Sequence, residues 1–196
     1  SGIIDSITIE RCLTPHIFGN NIGIPNGASI LFDASSNSNV NYNKIRNRNC
    51  IFIRGIKGFS TYTNYESLIL DKNIFSIQPT TVIPPSNLFS YTSFGTTRSI
   101  VGAAVRDNIF LGSNPQGCVG CTMFNNLTFG NGANDTLNAP TGNNNLYSVD
   151  PLLVSYPGVG TQFSFGHDYD LAPNSPALNA ASNGSNIGIS GGDFPF

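Results

Sequence analysis

The 196-residue sequence contains no tryptophan, one methionine and two histidines, and only 10% of its residues are charged. A typical soluble domain carries about 25% charged residues, so neutral polar groups must make up most of this surface. Nine Lys and Arg against eleven Asp and Glu leave a formal charge of −2. No basic stripe of the kind that neutralises phosphates is present, so nucleic acid is not an expected partner. No run reaches the roughly 18 apolar residues of a membrane-spanning helix, so no span is expected. Charge is also too sparse for a coiled coil or a long solvated helix. His16 and His167 stand far apart with no ligand spacing, so neither a metal nor another cofactor is expected.

What the chain does contain is 26 Asn, 21 Gly and 12 Pro, together with 14 Phe and 7 Tyr. A hydrophobic fraction of 39% is too high for a disordered polar tract, and the length suits one domain with a sizeable core. Gly, Pro and Asn interrupt the pattern so often that helices have little room. Short alternating runs of Ile, Val, Phe and Thr read instead as many short strands. The chain opens Ser1-Gly2-Ile3-Ile4 with no signal peptide ahead of its first strand pattern, which reads as a processed or excised piece of a longer protein. Sparse lysine and abundant Asn, Thr and Ser fit a secreted or cell-surface location.

Five segments align: Ile9-Glu10-Arg11-Cys12-Leu13-Thr14, Asn47-Arg48-Asn49-Cys50-Ile51-Phe52, Leu70-Asp71-Lys72-Asn73-Ile74-Phe75, Val105-Arg106-Asp107-Asn108-Ile109-Phe110 and Met123-Phe124-Asn125-Asn126-Leu127-Thr128. Their fourth column is Cys12, Cys50, Asn73, Asn108 and Asn126, the fifth is always aliphatic, and the sixth is Phe or Thr. Fourth-column residues are separated by 38, 23, 35 and 18 positions. A strand-only repeat of this size predicts an all-β, right-handed parallel β-helix. At one coil per 20–25 residues, about seven to nine coils are expected, with long loops near 15–40 and 76–98. Coils stacked at about 4.8 Å pile equivalent residues into ladders, and Asn at a bend satisfies turn backbone where water is scarce. Cys12 and Cys50 would come within disulfide reach if the 38-residue step is one coil, and not if it is two. The second column, Glu10, Arg48, Asp71, Arg106 and Phe124, alternates in charge, which reads first as a stabilising ladder on a solvated face.

Residues 145–196 change character. Asp150-Pro151 is followed by Leu171-Ala172-Pro173-Asn174-Ser175-Pro176-Ala177 and by Ile187-Gly188-Ile189-Ser190-Gly191-Gly192. These three elements, in this order, resemble the closing coils of secreted bacterial right-handed parallel β-helix proteins of the pectate-lyase-like superfamily: a D-P strand, an L-x-P-x-S-P-A turn and an I-G-x-x-G-G strand. The resemblance covers about the last quarter of the chain. It implies coils over 1–144 and, in the same domain, final coils and a cap at the stack's end over 145–196. No comparable cap precedes Ile3, so the N-terminal coil is expected as an open edge able to accept another chain.

The resembled superfamily includes polysaccharide lyases and glycoside hydrolases, which directs attention to carboxylates and bases. Glycoside hydrolysis needs two suitably spaced carboxylates. The only close pair, Asp168 and Asp170 beside His167, falls in the closing segment and lacks the expected surroundings. A lyase needs a base and an acidifying partner. Arg48 and Arg106, with Asp71 and Asp107, are the best candidates for a catalytic set, and they are also what an ordinary charge ladder contains. Tyr62, Tyr65, Phe89, Tyr91 and Phe94 could stack on sugars or pack as core. Cys118-Val-Gly-Cys121 reads as a local disulfide, as free thiols or as half a metal site. Asn134, Asn183 and Thr136 are candidate glycosylation positions. The expected function is a non-enzymatic extracellular scaffold, adhesin or filament former, self-associating through the open N-terminal coil. The alternative is a carbohydrate-active module, either a lyase or hydrolase fragment or a polysaccharide binder.

Overall fold

The computed structural model describes residues 2–14, 30–32, 40–52, 56–59, 63–76, 90–93, 96–112, 118–130, 143–156, 158, 164 and 166–189. Regular structure among them is all β, with no helix, and most pairing is parallel. One sheet holds β1 (Gly2–Glu10), β4 (Val40–Arg48), β7 (Thr63–Asp71), β11 (Ala104–Arg106) and β14 (Thr122–Phe124), side by side in that order. A second sheet repeats the order with β2 (Leu13–Thr14), β5 (Ile51–Phe52), β8 (Ile74–Ser76), β12 (Ile109–Leu111) and β15 (Leu127–Phe129). Outside these sheets, β3 (Ile30–Phe32) pairs parallel with β6 (Ile56–Phe59). β9 (Ser90–Ser93) pairs antiparallel with β10 (Thr96–Val101), which also pairs parallel with β13 (Cys118–Val119). β16 (Leu153–Ser155) pairs antiparallel with β17 (Asp168–Leu171).

The two five-stranded sheets share a single offset at each step, while β3 and β6 pair at 26 to 27 residues with a register shift. Gly2 pairs with Val40 and Leu13 with Ile51, 38 residues apart in both sheets. Val40 pairs with Thr63 and Ile51 with Ile74, an offset of 23. Ile69 pairs with Ala104 and Ile74 with Ile109, an offset of 35. Ile100 pairs with Cys118, Ala104 with Thr122 and Ile109 with Leu127, an offset of 18 through three successive strands. The two long steps are therefore each one pass with an insertion. Among the described residues each of these two sheets has five strands, and Leu146 bridges to Leu127 beyond them. Part of those insertions is itself strand, namely β3 within 15–40 and β9 with the start of β10 within 76–98.

A one-residue bend joins the two sheets. Arg11, Asn49, Lys72, Asp107 and Asn125 have φ of 54°, 52°, 55°, 56° and 51°, all left-handed, and Asn144 follows at 51°. Asn and Asp tolerate this region better than other non-glycine residues, while Arg11 and Lys72 bear its strain. Beyond the bend, β8 and β12 are buried along their whole length, as parallel strands covered on both faces are. Phe75 stacks on Phe110 with centroids 5.2 Å apart and planes 9° from parallel. Strand alternation turns Ile74 and Ile109 to the opposite face, where they join Ile51, Leu127, Ala177, Ala181, Ile187 and Ile189 in one apolar cluster.

Through that cluster the C-terminal residues Ala177, Ala181, Ile187 and Ile189 pack on the second sheet. The fifth column is apolar because this segment covers it. Gly188 donates its N–H to the Asp107 carbonyl at 2.7 Å, and its φ of +83° brings it so close that a Cβ would sit 2.6 Å from Ile109 Cδ1. The segment is not built of the expected strands: Asp150-Pro151 precedes β16, and Ile187–Ile189 is a bend. Pro173 and Pro176 remove ladder donors, which favours turns there. Ser175 Oγ donates to the Pro151 carbonyl and accepts from the Ala177 N–H at 3.1 Å, fixing the Pro-Ala turn.

Candidate functional site

Two constellations stand out, one buried and one at the surface. The buried one is the fourth column. The carboxamide oxygens of Asn108 and Asn126 each accept two bonds from the ladder member before them: the Asn108 oxygen takes the Asn73 backbone N–H at 2.9 Å and its side-chain amide at 3.0 Å. The Asn126 oxygen does the same for Asn108, at 3.0 Å for both. Each amide also donates backwards to a first-column carbonyl: Asn73 to Asn47 at 3.1 Å, Asn108 to Leu70 at 2.9 Å, and Asn126 to Val105 at 2.9 Å. The series ends in sulfur. Cys50 donates its N–H to the Asn73 oxygen at 3.1 Å, and Cys12 donates its N–H to Cys50 Sγ at 3.3 Å. Cys12 and Cys50 are free thiols on neighbouring strands' ends. Burial pushes the Cys50 thiol above its ordinary range, up to about 12.

A sixth ladder member escaped the sequence reading. Asn145 accepts from the Asn126 N–H at 2.9 Å and donates to the Met123 carbonyl at 3.0 Å. The signal was present in Asn143-Asn144-Asn145-Leu146, 19 residues after Asn126. It has no Phe or Thr in the sixth column to complete the pattern.

At the surface, the second column lies in register as Glu10, Arg48, Asp71, Arg106 and Phe124 across β1, β4, β7, β11 and β14. The pairing of charges does not simply follow the column. Arg48 holds Glu10 at 2.6 Å, and this guanidinium holds the Glu10 carboxyl below the usual carboxylate range. Asp71 is bound instead by Arg46, one strand over and two residues back. Arg46 Nε donates to Oδ1 at 3.2 Å and Nη2 donates to Oδ2. Arg106 Nη2 approaches the same carboxylate only to 3.6 Å. Asp107, in the left-handed bend, accepts the Ser182 N–H and Oγ–H, both at 2.8 Å. The face is less solvated than a charge ladder implies: Asp71 is 3% and Asp107 2% exposed. Beside them a cavity of about 250 Å³ opens between the sheet face and the C-terminal segment. Four cations, Arg46, Arg48, Lys72 and Arg106, line it together with Asp71 and Asp107, and Ser182 and Asn183 close its far side.

The remaining candidates are dispersed. Asp168 and Asp170 lie on β17, where Asp168 Oδ1 accepts the Asp170 N–H at 2.9 Å. Burial, and then Asp168, raise the Asp170 carboxyl. His167 packs among rings, 6.4 Å from Tyr156 and 6.3 Å from Tyr169. Asn183 is exposed, and its side-chain oxygen accepts from Ser185 Oγ at 2.7 Å. Cys121 is disulfide-bonded; the Cys118 side chain lies outside the described residues, as do Asn134, Thr136, His16 and the rings of Tyr62, Tyr65, Phe89, Tyr91 and Phe94. Among the described residues no group of three or more His, Cys, Asp or Glu could hold a metal ion, and no helix is long and apolar enough to cross a membrane.

No family model, no curated protein and no solved structure matches this chain.

Proposed function

We propose that the chain is a right-handed parallel β-helix and that it serves a non-enzymatic, extracellular role as a scaffold, adhesin or filament-forming module. What supports the solenoid is the repeated offset: the two five-stranded sheets share one shift at each step, so that aliphatic residues of the fifth column pair with one another. The observation that carries the non-enzymatic reading is the commitment of the charged groups. Asp71 is neutralised by Arg46, and Asp107 is consumed in holding Ser182 to the bend. A general base needs a proton-accepting atom within reach of substrate, and each of these two carboxylates already accepts on both oxygens.

Within this reading, self-association uses the edge of the first sheet. Among the described residues β1 is its terminal strand, nine residues long, with Ile3 73% exposed. Such an edge can pair with a second copy of the chain. Analytical ultracentrifugation over a wide concentration range tests this. Concentration-dependent oligomers are expected, and a strictly monomeric species at the highest concentration would count against assembly. The second reading, a carbohydrate-active module, draws on the basic cavity beside Arg48 and Arg106. Cleavage of a polyuronate that disappears in Arg106→Ala would replace the scaffold reading with this one.

A further inference from the structure

We infer that the cavity between the first sheet and the C-terminal segment is a binding site for a single oxyanion, a carboxylate, sulfate or phosphate group. Its lining carries four cationic side chains against two carboxylates, a formal excess of two positive charges. The chain as a whole is acidic at −2, so this excess is a local feature and not a sample of a generally basic surface. The carboxylates do not cancel it evenly. Asp71 is satisfied through both oxygens by Arg46, and Asp107 faces Ser182. Arg106 is left 3.6 Å from Asp71, outside hydrogen-bond distance. Arg48 spends one nitrogen on Glu10.

The observation that points to a ligand is the placement of two guanidinium groups. Arg48 and Arg106 stand one strand either side of Asp71 in the register, both line the cavity, and their side chains remain 38% and 34% exposed, so their guanidinium groups flank the same volume. An oxyanion placed there supplies several acceptor lone pairs and meets the fork geometry that arginine presents to carboxylate and phosphate. A cation would meet the wrong charge, and an uncharged group would bring fewer acceptors. The site does not depend on the non-enzymatic reading above. It would equally serve a scaffold that grips an acidic glycan or a module that positions an acidic substrate.

The test is titration of the whole chain with inorganic sulfate, inorganic phosphate and a uronate disaccharide, followed by amide NMR against a chloride control of equal ionic strength. Saturable shifts are expected for at least one of the three, centred on Asn49, Lys72, Asp107 and Ser182, and the tightest binder identifies the source of the oxyanion. Saturation by none, or shifts that chloride reproduces, would overturn the assignment. Arg106→Gln should weaken the tightest binder about tenfold or more, as expected for losing a charge-assisted hydrogen bond. Asp71 keeps Arg46 in that variant. Arg48→Gln is the second arm, and Lys44→Gln, exposed elsewhere on β4, should bind like the parent. Undiminished affinity in a folded Arg48→Gln, Arg106→Gln double variant would also overturn it. If that variant does not fold, the wild-type titration decides alone.

Discussion

Asn108 offers the sharpest test of what holds the strands in register. Its side chain is fully buried and makes four hydrogen bonds: it accepts from the Asn73 N–H and side-chain amide, and donates to the Leu70 carbonyl and to Asn126 Oδ1. Asn108→Ala removes all four and leaves the Asn73 backbone N–H buried without that acceptor. A typical hydrogen bond contributes about 0.5–1.5 kcal/mol net, and a stranded buried donor costs about 1–3 kcal/mol. Asn73 keeps its bond to Asn47, and Asn126 keeps the Asn108 N–H, so not every term is lost. The expected destabilisation is about 3–5 kcal/mol, a large share of the 5–15 kcal/mol that typically separates folded from unfolded chains. Asn145, at the end of the series and only half-buried, has ladder bonds on one side, so Asn145→Ala should cost about half as much by the same accounting. Urea unfolding measures both as shifts in midpoint at constant slope. The reasoning is refuted if Asn108→Ala lies within about 1 kcal/mol of the parent, or if Asn145→Ala costs as much as Asn108→Ala.

Three further outcomes follow from individual residues. Asn47 is fully buried in the otherwise apolar first column, and both polar atoms of its amide lack partners among the described residues; Asn47→Leu should raise stability by about 1–3 kcal/mol in urea unfolding. Gly188→Ala places a methyl against buried Ile109 at positive φ and should cost about 2 kcal/mol or more, part of which Ile109→Val should restore in a double-mutant cycle. Cys50, with its thiol raised by burial to about 12, should resist iodoacetamide at pH 8 in the native state and react once unfolded. The sign of its pH effect is fixed: above the unfolded thiol's pKa, near 8.5, the unfolded chain loses a proton that the folded chain keeps. Stability should therefore fall as pH rises from about 8.5 towards 12, and Cys50→Ala should flatten that decline in pH-dependent urea melts.

Much of the strand register is legible in the sequence. Parallel strands stack like on like, so a column of Leu13, Ile51, Ile74, Ile109 and Leu127, or of Asn73, Asn108 and Asn126, is the direct imprint of neighbours 4.8 Å apart or so. The left-handed bend is not legible in the same way, because Arg11, Asn49, Lys72, Asp107 and Asn125 share a conformation and not a chemistry. The number of steps is not legible from length, because an insertion of any length is compatible with one step between strands. The charged site was half visible. Arg48, Asp71, Arg106 and Asp107 could be singled out, but not Arg46, which reaches Asp71 diagonally from the next strand, nor Ser182, which lies 75 residues from the Asp107 it binds.

The sequence alone determines which residues repeat, and repetition is a local property that survives any arrangement of the loops. Only the tertiary structure decides what lies against the repeated face: the C-terminal segment on Ile74 and Ile109, the Asp107 carboxylate on Ser182, and the arginines around one small volume. Those contacts join residues far apart in the chain, and their energies depend on distance, burial and orientation, which no spacing in the sequence records.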